Sequence, residues 1–251
     1  MRIALWQPPA PFADRESLLA DTDRILSRAA AARCRLLLAP ERLLAGPEGA
    51  FPEAVAEPSD GPLARALAAR CREHRIGLAL GYLERFAGRF FSSLMVFSPA
   101  GLALGNYRRT HLREGEEGAL TPGNWLTLVP FEGRRLGLLA GADLELPEPA
   151  RALALAGAEA LLTVADAAVP EPAMLRHLLA TRAFENRLPL VHAGYAPPRG
   201  SGVAAFTAAG MTAEIALCGP LHIVALGRGP GPAGGTRRRP ELYAGLTEID
   251  A

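Results

Sequence analysis

Residues 136–148, LGLLAGADLELPE, constrain this chain more than any other stretch. Leu136, Leu138, Leu139 and Ala140 read as a buried strand that runs into a tight turn at Gly141-Ala142-Asp143. Pro147 and Glu148 then open a helix, with proline in the first turn and an acid at the positive end of the helix dipole. A strand that breaks sharply into a helix pushes one side chain out of the sheet, and many hydrolases present a nucleophile this way. At the tip of this turn stands Gly141, where a Ser or Cys would do the chemistry. The frame is that of a catalytic site with nothing at its centre.

The 251 residues suffice for one large layered domain, expected to span residues 1–251. Apolar residues make up 49% and the mean hydropathy is +0.13, enough for a substantial core. Lys and Arg number 27 against 26 Asp and Glu, and a net charge of +1 argues against nucleic acid as a partner. The opening MRIALWQPPA has too short an apolar run for a signal peptide or a membrane span, so no membrane association is expected. Cys34, Cys71 and Cys218 are odd in number, far apart and without CxxC spacing. That pattern fits a reducing cytoplasm, with no disulfide framework and no zinc site.

Along the chain, apolar runs and turn residues predict strands at 2–6, 35–39, 76–83, 89–97, 102–107, 126–129, 136–140, 160–164, 188–193, 202–206 and 221–225. Helical spacing predicts helices at 14–32 with Asp14 as N-cap, 58–74 capped by Ser59 or Asp60, 148–156 and 171–186. Helices alternate with strands near both ends of the chain, with hairpin-like series between them. This is an α/β pattern of two face-to-face sheets with helices outside. Leu36, Leu37, Leu138, Leu139, Leu161, Leu162, Leu190 and Val191 are expected between the sheets. The glycine-rich 227–235 segment lacks the Gly-Lys-Ser/Thr of a phosphate loop. Arg237-Arg238-Arg239 reads as a solvated face or subunit contact.

Several stretches together resemble the nitrilase, or carbon–nitrogen hydrolase, superfamily. RLLLAPE at 35–41 is similar to its strand ending in the Pro-Glu of the general base, and NYRRTHL at 106–112 to its Tyr-Arg-Lys-x-His-Leu motif. LGLLAGADLELPE resembles Gly-x-x-x-Cys-x-Asp-x-x-x-Pro-Glu, and LLATRAFENRLPLV at 178–191 its Arg-Ala-x-Glu-Asn segment. The order is the family's over nearly the whole chain. The resemblance implies a four-layer αββα sandwich, commonly dimerised through outer helices, here those near 148–156 and 171–186. It also implies a Glu–Lys–Cys centre, which falls on Glu41, Arg109 and Gly141. The second family glutamate falls on Glu116, with Glu117 beside it, before the turn Thr121-Pro122-Gly123. The aromatic that often follows the cysteine is Ala142, which lowers the wall of the ligand pocket.

Family members attack an amide or nitrile carbon with a thiolate, and this requires a side chain at position 141. Arg109 stays protonated, so it can bind an anion but not shuttle a proton. Losing a covalent nucleophile costs on the order of 10⁴–10⁶ in rate, which leaves water activated by Glu41 as the alternative route. Two readings of the centre stay open. Glu41 and Arg109 form an internal ion pair in a vestigial cavity, or they hold a small amide or carboxylate ligand. The three cysteines read as small buried hydrophobes. His111 is expected to orient its loop and not to bind metal, and no cofactor or metal is expected. The 114–117 run either lines the site or is a solvated loop.

Overall fold

The computed structural model describes residues 1–44, 52–166, 172–198, 200–213, 215–218 and 220–231. The Arg237–Arg239 run, the end of the glycine-rich segment and the Cys218 side chain lie outside the described residues. Strands β1 (Arg2–Trp6), β2 (Leu36–Leu38), β3 (Gly77–Phe86), β4 (Arg89–Phe97) and β5 (Ala103–Arg108) build most of one sheet. The second sheet comprises β6 (Thr127–Phe131), β7 (Arg134–Ala140), β8 (Ala160–Val164), β9 (Leu190–Ala193) and β10 (Val203–Phe206). Two late strands, β11 (Ile215–Cys218) and β12 (Leu221–Ala225), return to the first sheet. The orders are β11-β12-β1-β2-β3-β4-β5 and β10-β9-β8-β7-β6. Helices α1 (Arg15–Ala31), α2 (Pro52–Val55) and α3 (Pro62–His74) precede β3, and α4 (Pro147–Leu155) and α5 (Pro172–Asn186) flank β8.

Three apolar clusters define four layers. Leu18, Ile25 and Leu26 of α1 and Leu63, Leu67 and Cys71 of α3 pack on Ala4, Leu37 and Leu78. Between the sheets lie Ile3, Leu5, Leu36 and Leu38 against Leu136, Leu138, Leu162 and Val191. Leu153 of α4 and Leu175, Leu179 and Ala183 of α5 cover Leu139, Leu161 and Leu190. The fold is an αββα sandwich.

The alternation of side chains along each strand corrects the sequence expectation of a common inter-sheet core. All eight proposed core residues are buried, but only Leu36, Leu138, Leu162 and Val191 face the opposite sheet. Leu37 points to α1 and α3, and Leu139, Leu161 and Leu190 point to α4 and α5. A strand covered on both faces reads as a continuous apolar run, so the run reports burial and leaves the face open.

Asp14 caps α1 as expected, accepting from the Ser17 amide at 2.7 Å. The next helix starts later than 58, with Gly61 at its N-cap and Pro62 in its first turn. Proline lacks an amide hydrogen and clashes one turn back, so Pro62 is tolerated at a helix start and not inside. The short β11 and α2 had no periodic signal in the sequence. Cys71 is fully buried in α3, which pushes its thiol up to about 12, and Cys34 is 3% exposed. No helix among the described residues is long and apolar enough to cross a membrane.

Candidate active site

In a sandwich of this kind, the parallel strands β1 and β2 of one sheet and β7, β8 and β9 of the other deliver chain ends to a common edge. The loop after β2 carries Glu41, whose amide donates to Ala165 O at 3.2 Å, just beyond β8. The Tyr195 hydroxyl, two residues past β9, lies 3.0 Å from Glu41 O and 3.1 Å from Arg42 O. The loop after β2 is therefore pinned across the sheet–sheet junction. Arg109 follows β5, and its amide donates to Ser92 O at 2.8 Å. Gly141 opens a 3-10 turn, Gly141–Leu144, directly after β7.

The turn at Gly141 is tied to the loop after β5 by Asp143. Its buried carboxylate accepts from the amides of Thr110 at 3.1 Å and His111 at 3.0 Å. It also contacts the Thr110 hydroxyl at 2.8 Å, His111 Nδ1 at 2.8 Å and the Tyr107 hydroxyl. The hydrogen bond to Asp143 raises the pKa of His111, as expected for a cation gaining a carboxylate partner. His111 thus orients its loop, as the sequence reading has it.

Glu41, Arg109 and Gly141 meet in the interior although they lie far apart in sequence. Arg109 Nη1 donates to Glu41 Oε1 at 3.1 Å, and its other terminal nitrogen pairs with Glu116. Ser92 donates its hydroxyl to Glu41 Oε1, and the Arg113 amide donates to Glu116 Oε2 at 2.8 Å. A second tier, Arg42 paired with Asp166 and Arg113 3.6 Å from Asp166, continues the alternation of charge. Glu41 is 0% and Arg109 1% exposed, yet Glu41 Oε2 and Arg109 Nε have no partner. Burial raises the Glu41 pKa; Arg109 opposes that rise without cancelling it. For Arg109, burial would lower the guanidinium pKa, but Glu41 and Glu116 hold it above its ordinary value.

A Cβ built on Gly141 would lie 2.7 Å from Arg109 Nη1 and 2.8 Å from Glu41 Oε2, and the residue has φ +49. Glycine reaches that left-handed conformation without strain, and the guanidinium fills the space a side chain would occupy. Beside this centre a cleft of about 690 Å³ opens to solvent, its walls including His111, Arg113, Ala142 and Glu145. Ala142 lines the cleft. Glu41, Arg109, Gly141 and Glu116 are not among its lining residues; the first three are buried and Glu116 is half-buried. Sequence reasoning missed Ser92, Asp143, Arg42, Asp166 and Tyr195. Asp143 lay inside a quoted motif, and the polar Ser92-Ser93 pair in the apolar run FFSSLMVF was a readable signal.

The carbon–nitrogen hydrolase family profile matches residues 2–199. This chain belongs to that family. It is 39% identical to an (R)-stereoselective amidase of Pseudomonas sp. over 61% of this chain and 56% of the amidase. It is 34% identical to a hydrolase in the pqqF 5′ region of Pseudomonas protegens over 78% of this chain and 70% of that protein. The matched stretch thus spans little more than half of the first of these relatives. Among solved structures it resembles the Nesterenkonia sp. AN1 amidase of the nitrilase superfamily, in a mutant form, with TM-score 0.81 and 27% identity, covering 98% of this chain and 97% of that one. A further mutant of that amidase, showing Michael addition of acrylamide at its active-site cysteine, matches with TM-score 0.82 and 28% identity over 98% and 99%.

Proposed function

We propose that this carbon–nitrogen hydrolase family protein has a degenerate triad of Glu41, Arg109 and Gly141, lacks thiol-dependent hydrolysis, and serves as a small-molecule-binding or regulatory protein. The observation that carries this reading is the occupied centre. A nucleophile's Cβ at Gly141 would stand 2.7 Å from the Arg109 guanidinium and 2.8 Å from the Glu41 carboxylate, which pair with each other at 3.1 Å. An acyl–enzyme needs a nucleophilic atom at the turn, and glycine supplies none. The open cleft beside Ala142, with Arg113 and His111 on its walls, suits a small carboxylate or amide. The amidase names of the relatives point the same way for ligand class.

The second reading, amide hydrolysis by water activated at Glu41, rests on the unpartnered Glu41 Oε2, an acceptor of raised basicity. Ammonia release over a panel of amides, nitriles and carbamoyl compounds decides between the two. The binding reading expects no release above background, and sustained turnover overturns it. Thermal shifts with the same compounds then separate a binder, whose melting temperature rises with ligand, from a scaffold. We further assign the outer α4–α5 layer as a homodimer face, because Leu155 and Phe184 are 50% and 65% exposed there. Light scattering giving a monomer mass at micromolar concentration overturns that assignment. The cysteine pattern fits a reducing, cytoplasmic setting.

A further inference from the structure

A second cavity, of about 480 Å³, opens where the chain leaves β1 and β9 and enters β10 and β12. Among the described residues its polar lining is Gln7, Arg176, Ser201 and His222, and Pro197 and Pro198 give it an apolar wall. None of these takes part in the Glu41–Arg109 centre or lines its cleft. His222 is 8% exposed, and neither of its ring nitrogens has a hydrogen-bond partner among the described residues. A neutral imidazole carries one donor and one acceptor, and leaving either unmet in the interior is costly. Burial holds the His222 pKa below its ordinary value, so the ring is neutral. A polar ring on a cavity wall with both functions unmet is placed to meet a ligand.

The hydroxyl of Ser201 contacts His192 Nε2 at 2.8 Å. Thr163 Oγ1 lies 3.2 Å from Val191 O and 3.0 Å from His192 Nδ1; when its hydroxyl goes to the carbonyl, it receives the Nδ1 N–H. With Nδ1 protonated, His192 Nε2 accepts from Ser201 Oγ at 2.8 Å. In that arrangement the proton of Ser201 points inward and its lone pairs are left for the cavity. Gly194 permits this relay, because a Cβ there would sit 2.1 Å from Ser201 Oγ. Burial, with Arg176 nearby, pushes His192 down to about 3, which makes it too weak a base to activate the serine. In this arrangement Ser201 offers the cavity an acceptor.

Arg176 is the one charged group of this lining among the described residues; it is exposed on α5 and spends a single donor on Val203 O at 3.3 Å. Among the described residues of the lining there is no carboxylate to receive an ammonium group. Arg176 is therefore the cationic donor of the lining, and the remaining polar groups, on Gln7, Ser201 and His222, are neutral. We propose that this cavity is a second small-molecule site, for a small carboxylate that carries a neutral hydrogen-bond donor, such as a hydroxy acid or an N-acyl amino acid. The carboxylate lies against Arg176 and the His222 N–H, and the donor against Ser201 Oγ or the other His222 nitrogen. This assignment stands independently of whether the Glu41 centre is catalytic.

N-Acetylglycine and glycolate are the probes, with acetamide and glycinamide as neutral and cationic controls. The chain has five histidines, so imidazole nitrogen resonances report which site is occupied. The expected result is a saturable shift of the His222 ring with N-acetylglycine or glycolate, whether or not His111, on the wall of the other cleft, also responds. Arg176→Gln, on an exposed helix position, should weaken that binding about tenfold or more, and His222→Phe should do the same. The proposal is overturned if neither probe gives a saturable shift at millimolar concentration, or if only His111 moves. It is equally overturned if glycinamide binds as well as N-acetylglycine, or if Arg176→Gln keeps full affinity.

Discussion

Two carboxylate–arginine pairs lie side by side in this protein, built from consecutive residues of the same two strands. Arg108 and Ser93 serve Glu84, while Arg109 and Ser92 serve Glu41. Both glutamates are 0% exposed. Glu84 accepts from Arg108 twice, at 2.9 and 2.7 Å, from Ser93 at 2.7 Å and from Asn106 at 2.9 Å. Phe86 and Phe91 sandwich the Arg108 guanidinium, at 4.4 and 4.2 Å from its carbon. Burial would raise the Glu84 pKa, but these donors more than offset it and the pKa is lowered. Glu41 keeps one oxygen without a partner and its pKa is raised. The same residue types give a closed structural pair on one face and an unmet charged centre on the other. Satisfaction of every lone pair, more than the presence of an opposite charge, separates scaffold from site.

The largest effect should come from breaking the closed pair. Glu84→Gln removes the charge that Arg108 clamps, and about 2–3 kcal/mol of stability should be lost in urea unfolding, because Arg108 is partly exposed and can rehydrate. A loss below that of Glu41→Gln breaks the comparison.

Next comes Gly141→Cys. A left-handed φ and the crowded Cβ should cost about 1–2 kcal/mol, and the thiol alone should not bring hydrolysis, because Arg109 holds its space. Adding Arg109→Lys, a shorter and more mobile cation, gives the thiol room, and ammonia release should rise above that of the single variant. A single variant that turns over amides well shows that Arg109 does not block the centre.

The smallest change is expected for Glu41→Gln, within about 1 kcal/mol at neutral pH, since the amide keeps the shape and relieves a buried charge. Its effect on pH dependence is sharper. With the folded pKa of Glu41 above its unfolded value, the native state binds more protons than the unfolded one in that interval. Stability from Glu41 is then full below the ordinary carboxylate range and falls as pH rises through the raised value. Glu84 works in the opposite sense, stabilising above the ordinary range and losing that contribution as pH falls. Melting temperatures followed across pH should therefore lose their decline on the alkaline side of the carboxylate range in Glu41→Gln only. An unchanged profile refutes a raised Glu41.

The sequence by itself determined the layers and the frame of the site. Apolar runs marked the buried strands, Asp14 and Pro147 marked helix starts, and the motifs around Glu41, Arg109 and Gly141 named the three residues that meet. These are local or motif properties, carried by neighbours in the chain. Which face each leucine covers was left open, because a strand buried on both sides has no polar alternation to read. Only the tertiary structure decided that Arg109 lies in the space beside Gly141, that Asp143 ties the turn to the loop after β5, and that Tyr195 pins Glu41. It alone joined Thr163, His192 and Ser201 into one relay beneath a second cavity. Each of these contacts joins residues distant in the chain, and its worth depends on which donors and acceptors remain unmet once water is excluded. That account closes only when the sheets have packed.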